Sequence, residues 1–363
     1  MHVFEGNTAD EVWLMAASAL EDAAGSRVPP GRADSPRELF NAAFTIRNPR
    51  QRWILSRQPA MNPAFAIAEV VWIVSGRRDA AFLNYWSPKL PEFAGRESHD
   101  QGAYGFRLRK HLGLAQLERA YAALRQQPGI RQVVLQIRDF TGDGRLPNGR
   151  PANPDRPSIC SFAKVRAGKL EWTQLLQSND LFLGVPHNFA QFTLLQEILA
   201  AWLGLEVGAY RHIADCLQLQ ARHEHLRHAP HPPAVGENTD ALRFTKPESD
   251  VYFAELGRRM DQMTNLLLTK NKLRQLARAE ALPPELRNWL LLVAADSARR
   301  RRWLNLAAEL MAEGSNPALK QLWERWLTWW GSRWQEEVVS EDALICVHPW
   351  RPRPFAPNDF FPA

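Results

Sequence analysis

Cysteine is scarce in this chain: 363 residues hold three thiols, Cys160, Cys216 and Cys346. Their odd number and wide spacing argue against a disulfide framework or a cysteine-based zinc site and fit a reducing compartment. Long apolar runs are missing too. No stretch of about 18 apolar residues occurs, and the first twenty residues mix acidic with apolar side chains instead of setting a basic segment before an apolar one. The expectation is a cytoplasmic chain, neither secreted nor membrane-spanning. Internal repeats and low-complexity tracts are also absent. Charge shows no marked excess of one sign, with 45 Lys and Arg against 39 Asp and Glu. A formal +6 suits an anionic small molecule as well as weak nucleic-acid contact, so charge alone decides little.

What is present suggests one large α/β core with an appended segment, since the length exceeds one average domain. Residues 10–24 carry apolar positions at helical spacing, and 26–36 are rich in Gly, Pro and Arg, as a loop would be. The segment 42–54 reads as a strand with Asn48 and Pro49 as turn residues inside it. Residues 63–75 read as a buried helix that is nearly all apolar except Glu69. An unpaired carboxylate there would be costly, so Glu69 has either a partner or a function. A short strand at 132–137 precedes a long Gly, Pro, Asn and Asp loop. Segments 158–165 and 169–177 then form a hairpin around Ala167 and Gly168, and Cys160 stands near its start. A long apolar helix over 187–203 and a returning strand over 204–220 complete the core. From 247 to 334 the pattern is helical, with a cluster at Arg299–Arg302 and the tryptophans Trp323, Trp326, Trp329, Trp330 and Trp334. Interleaved Arg and Trp can stack on nucleic acid, but an aromatic stripe at helical spacing reads first as core.

Cys160 alone would read as a small buried hydrophobe. Its surroundings say more. The chain runs Arg156-Pro157-Ser158-Ile159-Cys160-Ser161-Phe162, then a strand, then Gln177-Ser178-Asn179-Asp180, then Leu183-Gly184-Val185-Pro186-His187-Asn188. Upstream stand Ala68-Glu69-Val70-Val71-Trp72-Ile73-Val74-Ser75-Gly76 and Ala103-Tyr104-Gly105 with Arg107. In this order and at these intervals the segments resemble the thymidylate synthase family. That family has a Glu-Leu-Leu-Trp-Phe-Leu-Ser-Gly helix, a Tyr-Gly-x-x-x-Arg turn, a Pro-x-Cys turn, Arg-Ser-x-Asp and Leu-Pro-x-Asn. The resemblance covers residues 10–225.

It implies an α/β fold: a thymidylate-synthase-like mixed sheet with surrounding helices, plus an α-helical C-terminal extension. The implied division is a catalytic core at 1–240, the extension at 241–340 and a tail at 341–363. Cys160 would be the nucleophile at C6 of a pyrimidine, because C5 is a poor nucleophile until a thiolate adds at C6 and makes the ring an enolate. Arg32 would grip the phosphate and Arg131 would reach across a homodimer, and both are candidates for lowering the thiol pKa. Glu69 would organise water and relay protons, with Tyr104 in the same pocket. Asn188 would read uracil, its amide donating to O4 and accepting from N3–H; read from its position alone, it is a helix N-cap. Asp180 would bind the pterin ring and Trp86 would face the folate. The implied co-substrate is 5,10-methylenetetrahydrofolate, and the implied partners are a pyrimidine nucleotide, the folate and a second copy of the chain. Neither a metal nor nucleic acid is expected.

The chain departs from the pattern at the nucleotide. Ser178 is kept, but Gln177 stands where the family has arginine, which removes a charge-assisted contact to phosphate. Gln218 and Gln220 stand where it has the His and Tyr that hold the sugar hydroxyl, and glutamine can donate and accept. The family's apolar C-terminal lid is replaced by the helical extension and Phe360-Phe361-Pro362-Ala363. The expected reaction is methylation of a uridylate at C5. The alternatives are hydroxymethyl transfer to UMP, CMP, dUMP or dCMP, and a non-catalytic nucleotide- or RNA-binding protein on the same scaffold.

Overall fold

A computed structural model of the chain describes residues 1–22, 37–88, 90, 108, 115–137, 158–219, 227–228 and 236–337. Arg32, Tyr104 and Gln220 lie outside the described residues. Ala167 and Gly168 both have left-handed backbones, with φ of 48° and 73°, which matches the twist of a two-residue hairpin turn. That turn joins β5 (Ser158–Arg166) to β6 (Lys169–Asp180). The chain then enters α5 (Gly184–Leu203), which stops at Gly204, whose φ of 66° suits a residue without Cβ. It returns as β7 (Glu206–Leu219), parallel to β6. With β1 (His2–Gly6), β2 (Arg37–Ile46) and β4 (Val134–Gln136), these strands form a six-stranded mixed sheet of order β1-β2-β7-β6-β5-β4. A two-stranded ladder pairs β3 (Arg57–Gln58) with β8 (Arg227–His228).

The three central strands change face at one row. Along β6 the buried residues are Leu170, Trp172, Gln174 and Leu176, and then Asn179. Along β7 they include Tyr210, His212 and Ala214, and then Leu217 and Leu219; along β2 they are Leu39, and then Ala42, Phe44 and Ile46. The alternation slips at Gln177, Asp215 and Asn41, which share the row between the Leu176↔Ala214↔Ala42 and Ser178↔Cys216↔Phe40 pairings. Asn41 takes φ 55° there. A slip of one residue turns every later side chain to the other face, so Ser178, Asp180, Cys216 and Gln218 leave the core face and become half-buried.

Helices cover the apolar face. Among the described residues there are ten, beginning with α1 (Ala9–Asp22) and α2 (Pro63–Val74). The α2 helix starts at Asn62, whose side chain accepts from Phe65 N at 3.0 Å, with Pro63 in its first turn. Next come α3 (Ala80–Trp86) and α4 (Gln116–Gln126). The C-terminal half adds α6 (Lys246–Met263), opened by a Thr245/Glu248 capping box, α7 (Lys270–Ala277), α8 (Pro284–Arg300), α9 (Leu304–Glu313) and α10 (Pro317–Glu337). Residues 289–295 of α8 are all buried, and α8 packs on α2, so α6 to α9 and the first half of α10 share one compact unit, Met1–Trp326, with the sheet. Trp323 and Trp326 are buried in it, as the core reading of the aromatic stripe expects. Leu327–Ala363 forms a second unit. The side chains of Trp329, Trp330 and Trp334 lie outside the described residues. No helix among the described residues is long and apolar enough to cross a membrane.

The arginine cluster ties this segment to α3. Asp296 is fully buried and accepts from Arg299 Nε at 2.8 Å and Arg300 Nε at 2.6 Å. Arg300 Nη2 also donates to the Trp86 carbonyl at 2.5 Å, and Arg301 Nη1 donates to the Tyr85 hydroxyl at 2.6 Å.

Candidate active site

The corner between β6 and α5 is built from short polar side chains. Asp180 Oδ1 accepts from Phe182 N at 2.9 Å and Leu183 N at 2.6 Å, folding the chain back into the helix. Trp13 Nε1 donates to the Leu181 carbonyl at 2.8 Å and holds α1 against the same corner. Gly184 is required here, since a Cβ would lie 2.1 Å from Asn179 Oδ1. The helix begins at Gly184 after Leu183, with no side-chain cap. Asn188 is therefore not the N-cap suggested by its position after Pro186; the helix starts four residues earlier. Its amide is buried in the second turn and donates to Gln191 Oε1 at 3.3 Å.

One residue before Asn188, His187 meets Glu69 of α2. Nδ1 lies 3.3 Å from Glu69 Oε2, and the Phe65 ring stands edge-on to the imidazole at 5.0 Å. The lone carboxylate of the apolar helix thus faces an imidazole on α5. Beneath this corner runs a buried chain of polar groups. Asn179 Nδ2 lies 2.9 Å from His212 Nε2, and His212 Nδ1 lies 2.9 Å from the Tyr210 hydroxyl. The face change in the sheet lets Asn179 and His212 meet, because they have opposite parity. Burial pushes the His212 imidazole from 6.5 down to about 3, so the ring is neutral and one nitrogen accepts while the other donates. Since the unfolded chain takes up a proton near 6.5 and the folded chain only near 3, stability is full above 6.5 and declines as pH falls through that window. The stability advantage of the wild type over His212→Gln should shrink by ~4 kcal/mol between neutral pH and pH about 3, read from urea melts.

Asp180 and Gln218 are direct neighbours across β6 and β7, and Glu38 lies opposite Gln218 on β2. Gln218 Nε2 donates to Glu38 Oε1 at 3.0 Å. Ser178 pairs with Cys216, while Gln177 is exposed at the face-change row. Arg57 joins this group: its guanidinium is buried, and burial pushes its pKa down to about 10 against the opposing attraction of Asp180. Its Nη1 donates to the Pro59 carbonyl at 2.8 Å, while Nε is buried without a hydrogen-bond partner among the described residues. Asp10 fixes the approach to Arg57, accepting from Leu55 N and Ser56 N, both at 2.8 Å, and from Ser56 Oγ at 2.6 Å.

Cys160 is half-buried on β5, level with Leu175 of β6 and Gln136 of β4, just past a bulge. Burial pushes its thiol up, whereas the arginines were expected to lower it. Arg131 is exposed on the connection from α4 to β4, and Arg32 lies outside the described residues. Trp86 also departs from expectation. Its side chain is fully buried and packs edge-on against Tyr85 at 4.8 Å, which leaves the indole no open face for a folate. Sequence reasoning missed His187 and Arg57. The first sat inside a quoted motif as its variable position, and the second carried no signal beyond being one arginine among many. Among the described residues, no group of three or more His, Cys, Asp or Glu is arranged to hold a metal.

The mixed sheet and its helical cover make up an α/β fold that carries the Glu69, Cys160, Asp180 and Asn188 segments in the order read from the sequence. The family model for thymidylate synthase matches residues 39–230, more than half of the chain, which therefore belongs to the thymidylate synthase family. The chain is 30% identical over 232 residues to a deoxyuridylate hydroxymethyltransferase of Bacillus phage SP01, covering 60% of this chain and 59% of that protein. It is 30% identical over 168 residues to the deoxyuridylate hydroxymethyltransferase of Pseudomonas phage M6, covering 46% and 47%. It is 27% identical over 186 residues to that of Delftia phage PhiW-14, covering 48% and 50%. The chain thus spans between about half and three-fifths of the length of these curated relatives.

Proposed function

We propose that this protein transfers a one-carbon unit from 5,10-methylenetetrahydrofolate to C5 of deoxyuridylate and releases a 5-hydroxymethyl nucleotide. The observation that supports the reading is the meeting of Glu69 with His187, the residue before Asn188, which sets a carboxylate against an imidazole in the first turn of α5. The choice of hydroxymethyl over methyl, the reverse of the first expectation, is supported by the names of the three phage relatives.

Cys160 adds to C6, and Asn188 reads O4 and N3–H of uracil. Ser178, Gln177 and Arg32 take the phosphate with Arg131 of a second subunit, and Gln218 and Gln220 take the sugar. A guanidinium from another subunit would supply the positive charge that the half-buried thiol lacks among the described residues. Asp180 and Arg57 suit the donor and acceptor edge of a pterin: the carboxylate accepts, and the buried Arg57 Nε is a donor still without a partner among the described residues. The family resemblance adds Tyr104, which lies outside the described residues, to the catalytic set. Folate, when bound, supplies the carbon at the oxidation level of formaldehyde.

The test is mass spectrometry of products after incubation with methylenetetrahydrofolate and each of dUMP, UMP, dCMP and CMP. The expected result is hydroxymethyl-dUMP with tetrahydrofolate. A methyl product with dihydrofolate would return the chain to thymidylate chemistry, and turnover of none of the four would overturn the reading.

A further inference from the structure

Two buried atoms face each other at the corner of α2 and α5. His187 Nδ1 and Glu69 Oε2 are 3.3 Å apart, and neither has a well-aligned hydrogen-bond partner among the described residues. Catalytic contacts in ligand-free enzymes are often loose and tighten when substrate binds. Buried polar groups without a partner are costly, and the arrangement that satisfies both puts the proton on Nδ1, aimed at the carboxylate. Phe65 and Glu69, one helical turn apart on α2, hold the ring together, the phenyl standing edge-on at 5.0 Å and 65°. With Nδ1–H on the carboxylate, the basic lone pair is left on Nε2. His187 is half-buried and directly precedes Asn188.

We propose that His187, oriented by Glu69, is the general base that takes a proton from the water added to the substrate; this rests on the hydroxymethyl-transfer reading above. After Cys160 has added at C6 and tetrahydrofolate has left, C5 of the nucleotide carries an exocyclic methylene conjugated with the C4 carbonyl. Water oxygen forms a bond to the methylene carbon while its proton passes to His187 Nε2, and the methylene π electrons move onto the C4 oxygen as an enolate. The enolate reforms the carbonyl and the C5–C6 double bond, and the C6–S bond breaks to return the thiolate. The imidazolium proton then goes to solvent. No electron donor is needed, in contrast to methyl formation, which requires hydride. A base at this position therefore selects the product: it speeds water addition and does nothing for hydride transfer.

The experiment follows two signals in the full chain with methylenetetrahydrofolate and deoxyuridylate tritiated at C5. Tritium release reports the steps through loss of the C5 proton, and hydroxymethyl-dUMP reports water addition. In His187→Phe the ratio of hydroxymethyl product to tritium released should fall at least about tenfold, with methyl product or a covalent protein adduct accumulating. Glu69→Gln should lower the same ratio. Should the phenylalanine variant not fold, His187→Gln keeps polarity without basicity and decides the point. Added imidazole should restore part of the hydroxymethyl signal in His187→Gly, which a purely structural role would not allow. A ratio within about twofold of wild type in His187→Phe or His187→Gln overturns the assignment of His187 while leaving the transferase reading standing. Absence of tritium release in the wild type overturns both.

Discussion

Cys160→Ser should lower product formation by roughly 10³-fold or more, with little change in the melting curve. The thiolate is the group that makes C5 nucleophilic, and a serine hydroxyl at the same place is neither ionised nor comparably nucleophilic near neutral pH. Serine is close in size to cysteine, and the side chain is only half-buried on β5, so packing loss is small. Cys216 is the internal control. It too is half-buried, its thiol is pushed up to about 11 by burial, and it pairs with Ser178 rather than with the Cys160 strand. Cys216→Ser should retain turnover. Single-turnover assays with quenched product analysis compare the two. Retained turnover in Cys160→Ser would remove covalent catalysis from the proposed mechanism. Because burial raises the Cys160 thiol, its alkylation in the ligand-free chain should accelerate with pH and be slow at neutrality.

Glu197→Ala should destabilise the fold by ~3–5 kcal/mol, the largest effect on stability expected from a single substitution here. Glu197 lies on α5, and its side chain is 1% exposed. It accepts from Arg50 Nε at 2.8 Å, from Arg52 Nη2 more closely still, and from Leu242 N at 3.1 Å. The carboxylate therefore joins the segment after β2, the long helix and the irregular segment before α6. Its removal leaves the Arg52 guanidinium, 3% exposed, without its direct ion-pair partner and with only the longer-range attraction of Asp240. Such a loss of one partner costs much more than the intact pair contributes. Urea melts of wild type and variant measure it, and a change under about 1 kcal/mol would mean that the arginines find other partners or reach solvent.

The helix and strand periods were readable because each records a single face turned to the core. The helix 63–75 appears as α2, Pro63–Val74, and the hairpin turn lies at Ala167 and Gly168. Glu69 could be singled out because a lone carboxylate in an apolar helix breaks that pattern. His187 could not, since a histidine after proline at a helix start reads as surface. Its contact with Glu69, at 3.3 Å, depends on α2 passing beside α5, and the two residues lie more than a hundred positions apart in the chain. Arg57 is a similar case: one guanidinium among many, whose burial depends on how Asp10 anchors residues 55–56.

The sequence by itself determined the family, the order of the elements and which groups are candidates for the site, because local periodicity and motif spacing are properties of neighbouring residues. The tertiary structure alone decided which of those groups meet. It placed the face change that lets Asn179 reach His212, buried Trp86, and set Glu69 against His187. It also left Cys160 without a cation among the described residues. Each of these depends on distance through space and on exclusion of water, and neither quantity is encoded in the spacing along the chain.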